Sequence, residues 1–139
     1  MRKKLFLYGT LMGHADTPMA RFVQERVVSS LEADAPGKLL AIPSARGWFP
    51  ALVPGQGRVK GVLADLELTR ADLMKLDRYE GREYRRIVLR VRTSEGMSSA
   101  QGWVWTVPPS EESVLIEGGD FMAWLKKTGL PILSQRNGT

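Results

Sequence analysis

The sequence predicts an α+β fold, a small barrel-like β-sheet flanked by short helices, on three observations. Between Val27 and Leu68 the chain reads as strand and loop: Val27–Val28, Lys38–Ile42, Ala51–Val53 and Val59–Leu68, punctuated by Pro36-Gly37, Pro43, Gly47, Pro50 and Pro54-Gly55. Turn residues at this density bend a sheet. Capping residues mark three helix starts, at Thr17, Thr69 and Asp120. Two alternating stretches, Tyr84–Arg92 and Gln101–Val107, flank Ser94-Glu95-Gly96 and read as a hairpin.

Each element has a local reason. Leu5-Phe6-Leu7-Tyr8, closed by Gly9, is a buried strand running into a turn. Thr17 precedes Pro18 at the first helical position, and Met19, Phe22, Val23 and Arg26 follow at helical spacing. Thr69-Arg70-Ala71-Asp72 is a capping box with Asp in place of Glu, and Leu73, Met74 and Leu76 supply its helix with an apolar stripe that should end near Tyr79–Gly81. In the hairpin, Ile87, Leu89 and Val91 share one face while Arg86, Val88, Arg90 and Arg92 share the other; Trp103 and Trp105 lie together on the second strand. Asp120 caps a last helix through Phe121, Trp124 and Leu125, with Lys126 and Lys127 at its negative end and Gly129 beyond. The sequence thus reads as one domain over 1–139, with its core in 5–127 and a tail at 130–139.

Composition narrows the chemistry. The 139 residues are 43% hydrophobic and 25% charged, ordinary globular values. With no cysteine there is no disulfide, thiolate nucleophile or cysteine-ligated metal. The single histidine, His14, excludes a His-rich metal site, and its Gly-His-Ala loop reads as solvent-exposed. Carboxylates, hydroxyls and backbone groups remain, and neither a metal nor a cofactor is expected.

The net charge of +5 raises the question of nucleic acid. Its distribution answers against it. The densest stretch carries Arg78, Arg82, Arg85, Arg86, Arg90 and Arg92, but also Glu80 and Glu83, which is the mix of a solvated strand face. No window approaches the roughly 20 apolar residues of a membrane span. Leu5–Met12 after Met1-Arg2-Lys3-Lys4 imitates a signal peptide poorly, because Tyr8, Gly9 and Thr10 interrupt it. A soluble, cytoplasmic protein without membrane partner is expected.

Two stretches carry candidate chemistry. In Tyr8-Gly9-Thr10-Leu11 a strand ends in a glycine turn, where backbone N–H groups without a ladder partner can bind an anion such as a carboxylate; a plain strand turn has the same pattern. In Leu76-Asp77-Arg78-Tyr79-Glu80-Gly81, Glu80 falls at the negative end of a helix with Asp77 three residues back. Both would oppose its ionisation and suit it to proton transfer near neutrality. Arg78, Arg82 and Arg85 act the other way if they approach, and a glutamate beside three arginines is also the pattern of a surface ion pair.

Taken in order, these segments resemble the gamma-glutamylcyclotransferase-like superfamily, in the branch of the gamma-glutamylamine cyclotransferases and plant avirulence-induced proteins. The resemblance rests on Leu5–Leu11, Gly37-Lys38-Leu39, Phe49-Pro50-Ala51-Leu52, Val59–Leu63, Leu76–Gly81, Tyr84-Arg85-Arg86 and Trp103-Val104-Trp105, and runs from Leu5 to Trp124. It implies a mixed barrel flanked by helices, with a cavity beside the Tyr8–Leu11 loop. In family terms that loop, Tyr8, Gly9, Thr10 and Leu11, holds the alpha-carboxylate end of a gamma-glutamyl group through its backbone, and Glu80 is the catalytic acid and base. The implied partner is a small gamma-glutamyl compound, whose alpha-amino group attacks its own gamma-carbonyl and releases 5-oxoproline and an amine or amino acid.

The chain departs from the family pattern at three places. Trp105 stands where a tyrosine is usual, Trp48-Phe49-Pro50 replaces Tyr-Pro, and Met12-Gly13-His14 lacks the usual Arg and Asn. Trp48, Pro50, Tyr84 and Trp105 are the expected pocket wall. Two other readings of the same fold stay open: a non-catalytic binding protein with a basic face for an anionic partner, and a different carboxylate-assisted acyl transfer or hydrolysis.

Overall fold

In the computed structural model, which describes residues 1–9, 17–45 and 47–132, the elements follow as β1 (Arg2–Leu7), α1 (Pro18–Gln24), β2 (Val27–Ser44), β3 (Gly47–Glu67), α2 (Arg70–Glu80), β4 (Tyr84–Thr93), β5 (Gly96–Trp105), β6 (Val114–Leu115) and α3 (Phe121–Thr128). β1 runs antiparallel to β3, from Arg2 opposite Glu67 to Leu7 opposite Val62, and meets β5 in parallel at Leu5 and Gln101. β5 pairs with β4 along its length, β4 touches β2 at Thr93 and Arg92, and β2 pairs with β3. The pairings therefore close on themselves as β3-β1-β5-β4-β2-β3, the expected mixed barrel, with β6 added to β2.

Alternation along β1 builds two cores from one apolar run. Phe6 and Tyr8 point into the barrel with Ala35, Leu39, Leu52, Val59 and Val91, and Phe121 and Leu125 of α3 close that space. Leu5 and Leu7 point the opposite way, to Val23 of α1, Leu73 and Leu76 of α2, Leu66 and Trp103. A strand covered on both faces needs apolar residues at consecutive positions, which is why 5–8 shows no alternation.

All three caps form. Thr17 Oγ1 accepts from Ala20 N at 3.1 Å, Asp120 Oδ1 from Ala123 N at 3.0 Å, and Thr69 and Asp72 exchange hydrogen bonds at 2.9 and 3.0 Å as a reciprocal capping box. Gly129 takes the left-handed conformation that ends α3.

Two expectations about strands differ from what is found. The four short strands read between Val27 and Leu68 are two long ones of 18 and 21 residues. A register shift between Pro36 and Lys38 absorbs one proline, while Pro43 and Pro50 stand in the ladder opposite Trp48 and Ala41. Proline interrupts a strand only where its nitrogen must donate, and edge positions and bulges spare it that. The strand read at Gln101–Val107 is β5, which begins at Gly96, because Ser94-Glu95 alone make the turn between paired Thr93 and Gly96.

The segment read as a tail docks in part: Trp48 N donates to Pro131 O at 2.9 Å, and Ile132 bridges Trp48; 133–139 lie outside the described residues. Among the described residues no helix is long and apolar enough to cross a membrane.

Candidate active site

The buried residues of α2 are Leu73, Leu76 and Glu80, spaced three and four apart. Helical periodicity thus places a carboxylate in line with the leucines that hold the helix to the barrel. Glu80 is 7% exposed, and among the described residues it is the buried acidic or basic side chain. An exposed ion pair with Arg82 or Arg85 would have left it in solvent; those two arginines are themselves exposed.

Glu80 is the last residue of α2. Gly81, at φ 98°, stops the helix with its N–H on Asp77 O at 3.1 Å. Tyr84 N then donates to Gly81 O at 3.3 Å as the chain enters β4, so Glu80 and Tyr84 leave the same tight turn.

Asp77 does not act on Glu80 as a bare like charge. Its carboxylate accepts from Arg86 Nε at 2.9 Å, from Arg86 Nη2 at 3.2 Å and from the Trp103 indole at 3.0 Å. Arg86 in turn donates to Gln101 Oε1 at 2.6 Å. The helix-end charge expected beside Glu80 is paired with a guanidinium on β4. The same cluster, Asp77, Arg86 and Trp103, lines an open groove of about 1080 Å³ together with Arg78, Arg82 and Glu83.

The Tyr8 side chain is committed to the fold. Its ring stacks on Phe6 at 5.9 Å; its hydroxyl donates to Trp103 O and accepts from Leu52 N at 3.3 Å. Gly9 is buried against Pro50, close enough that a Cβ there would lie 2.4 Å from Pro50 Cγ. Thr10, Leu11 and His14 lie outside the described residues.

Of the residues expected at the wall, Pro50, Tyr84 and Trp105 are in contact. The Tyr84 hydroxyl donates to Pro50 O, and the Tyr84 and Trp105 rings meet edge to face at 5.1 Å. Trp48 is elsewhere, packed on Trp124 of α3 at 5.3 Å. Its neighbour Phe49 occupies the wall instead, 5.5 Å from Trp105. Adjacent residues on a strand face opposite ways, so Trp48 and Phe49 could not both line it. That parity was the available signal for Phe49. Among the described residues no cluster of three His, Asp or Glu could hold a metal ion.

Residues 5–124 match the family model described as gamma-glutamyl cyclotransferase, AIG2-like. No curated protein matches the chain significantly in sequence. Among solved structures, YkqA of Bacillus subtilis superposes with a TM-score of 0.70 at 20% identity, over 93% of this chain and 43% of its own. The chain thus spans less than half of that protein. An uncharacterized protein of Pyrococcus horikoshii gives 0.64 at 21% identity, over 91% and 96% of the two chains. A structure named gamma-glutamyl cyclotransferase gives 0.55 at 22% identity, over 80% and 73%. At these identities the likeness establishes the fold.

Proposed function

Because the chain belongs to the gamma-glutamyl cyclotransferase, AIG2-like family, we propose that it is a cyclotransferase that cleaves a small gamma-glutamyl compound to 5-oxoproline and an amine or amino acid, with Glu80 as general base and then general acid. The observation that carries this reading is the burial of Glu80 in the apolar stripe of α2, at the turn leading to Tyr84.

The reaction needs little from the protein that this chain lacks. The nucleophile is the substrate's own alpha-amine. Folding the gamma-glutamyl unit so that amine and gamma-carbonyl meet makes the attack intramolecular, where effective molarities reach on the order of 10⁵–10⁸ M. The Tyr8–Leu11 loop holds the alpha-carboxylate through backbone N–H groups, and close packing of Gly9 on Pro50 fixes where that loop leaves β1. Glu80 takes the proton released as the C–N bond of the ring forms and returns it to the departing nitrogen as the old C–N bond breaks, a role typically contributing ~10²- to 10⁴-fold. Phe49, Tyr84 and Trp105 form the wall beside the reacting group, and Pro50 is joined to it through its backbone carbonyl.

The test is incubation of the protein with a panel of gamma-glutamyl amines and gamma-glutamyl amino acids, with products read by mass spectrometry. Release of 5-oxoproline is the expected result. Free glutamate in its place means hydrolysis, and no product from any compound favours a binding protein on this fold.

A further inference from the structure

We propose that the indole N–H of Trp105 contacts the ligand, donating a hydrogen bond to an amide or carboxylate oxygen of the compound bound beside Glu80. The location of the site rests on the cyclotransferase reading; the donor itself is inferred from the hydrogen bonding of β5.

Among the described residues, Trp105 Nε1 is the buried side-chain polar atom with no hydrogen-bond partner. Folded proteins rarely leave a buried donor unpaired, because the group has given up water and received nothing in exchange. The neighbouring tryptophan shows that this face of β5 can provide an acceptor. Trp103, two residues earlier and on the same side of the strand, gives its N–H to Asp77 at 3.0 Å. Nothing equivalent serves Trp105.

Its surroundings point to the candidate site. Tyr84, opposite Trp105 in the β4–β5 register, is four residues beyond Glu80 and leaves the same turn. The other polar side-chain group of the aromatic wall, the Tyr84 hydroxyl, donates to Pro50 O, and the Trp105 N–H is not bonded to it. Pro50 in turn packs on Gly9, the second residue of the other candidate stretch. The unpaired N–H therefore belongs to a wall of Phe49, Tyr84 and Trp105 that joins the two stretches.

The chemistry of indole limits what it can hold. It is a donor only and stays protonated at any working pH, so it selects an oxygen acceptor and moves no proton. A compound that places a carbonyl or carboxylate oxygen at this wall is favoured over one that places an ammonium or an alkyl group there. Because the N–H is covered, the groups packed around it must shift as the oxygen arrives.

The experiment uses the isotopically labelled full chain and follows the indole N–H resonances, assigned on the wild-type protein, during titration with 5-oxoproline, glutarate and L-gamma-glutamyl-L-alanine. The Trp105 resonance is expected to move downfield with at least one of them while that of Trp103, held by Asp77, moves less. By calorimetry, Trp105→Phe should weaken the same ligand about five- to tenfold, the size of one buried hydrogen bond. A Trp105 resonance that stays in place with all three compounds, or a Trp105→Phe variant that binds within twofold of wild type, overturns the proposal. Release of 5-oxoproline without movement of the Trp105 resonance removes the donor and leaves the reaction. Movement without 5-oxoproline keeps the donor and removes the reaction.

Discussion

Asp77 accepts the indole N–H of Trp103 at 3.0 Å through the same oxygen that takes Arg86 Nε at 2.9 Å. One carboxylate thereby clamps the last turn of α2 to both strands of the β4–β5 hairpin. Glu80 lies three residues further along that turn, so its position depends on the clamp. Asp77→Ala leaves a guanidinium and a mostly buried indole N–H without their acceptor. Because Asp77 is 40% exposed, the expected loss is modest, about 1–3 kcal/mol. Denaturant titration measures it, and kcat should fall with stability. A variant as stable and as active as wild type would show that the clamp positions nothing.

Gly9→Ala tests the close approach at the end of β1. The added carbon would lie 2.4 Å from Pro50 Cγ, a separation no packed pair sustains, so the backbone at Gly9 or the proline must move. Overpacking of this kind costs about 1–3 kcal/mol. That displacement at Gly9 should lower kcat/KM more than tenfold, measured on whichever compound of the panel is turned over. Unchanged kinetics would separate this glycine from the site.

Tyr8→Phe distinguishes a structural tyrosine from a substrate-binding one. The hydroxyl joins Trp103 O to Leu52 N inside the barrel, and its removal leaves both without that bond. The expected outcome is a loss of about 1–3 kcal/mol in stability with KM unchanged. A raised KM at unchanged stability would assign the hydroxyl to the substrate.

The cap of α2 carries an acid-sensitive contribution. The Thr69 N–H, aided by the Arg26 guanidinium, holds the Asp72 carboxyl below its usual 3.8. A group whose pKa is lowered by folding stabilises the fold above its unfolded value and loses that contribution as pH falls through the lower folded value. Wild type should therefore exceed Asp72→Asn in melting temperature near neutrality, and the gap should close below pH 3.8. A gap that persists in strong acid would mean that Asp72 acts by shape alone.

How far the sequence led differs from element to element. The helices were legible because their starts are local events: Thr17, Thr69 and Asp120 each bond within three residues. The long β2–β3 ribbon was not, because the tolerance of a strand for Pro43 or Pro50 is decided by which edge its nitrogen faces, a property of the partner strand. Glu80 was legible as a motif residue. Its burial was open to reading too, since Leu73, Leu76 and Glu80 already form a helical stripe. The engagement of Asp77 by Arg86 and Trp103 was not, because those residues are nine and 26 positions away. Trp48 and Phe49 both stood in the Trp48-Phe49-Pro50 segment, and strand parity puts them on opposite faces, Phe49 on that of Trp105 and Trp48 on that of Trp124.

The most direct test of the account is the rate of 5-oxoproline release by wild type and by Glu80→Gln, measured on the same compound with the fold of the variant verified by its melting temperature. Glutamine keeps the size of the side chain and removes its ability to accept and return a proton. If Glu80 is the acid and base, kcat should fall by at least about 100-fold with KM little changed. A Glu80→Gln variant that turns over within twofold of wild type would contradict the mechanism.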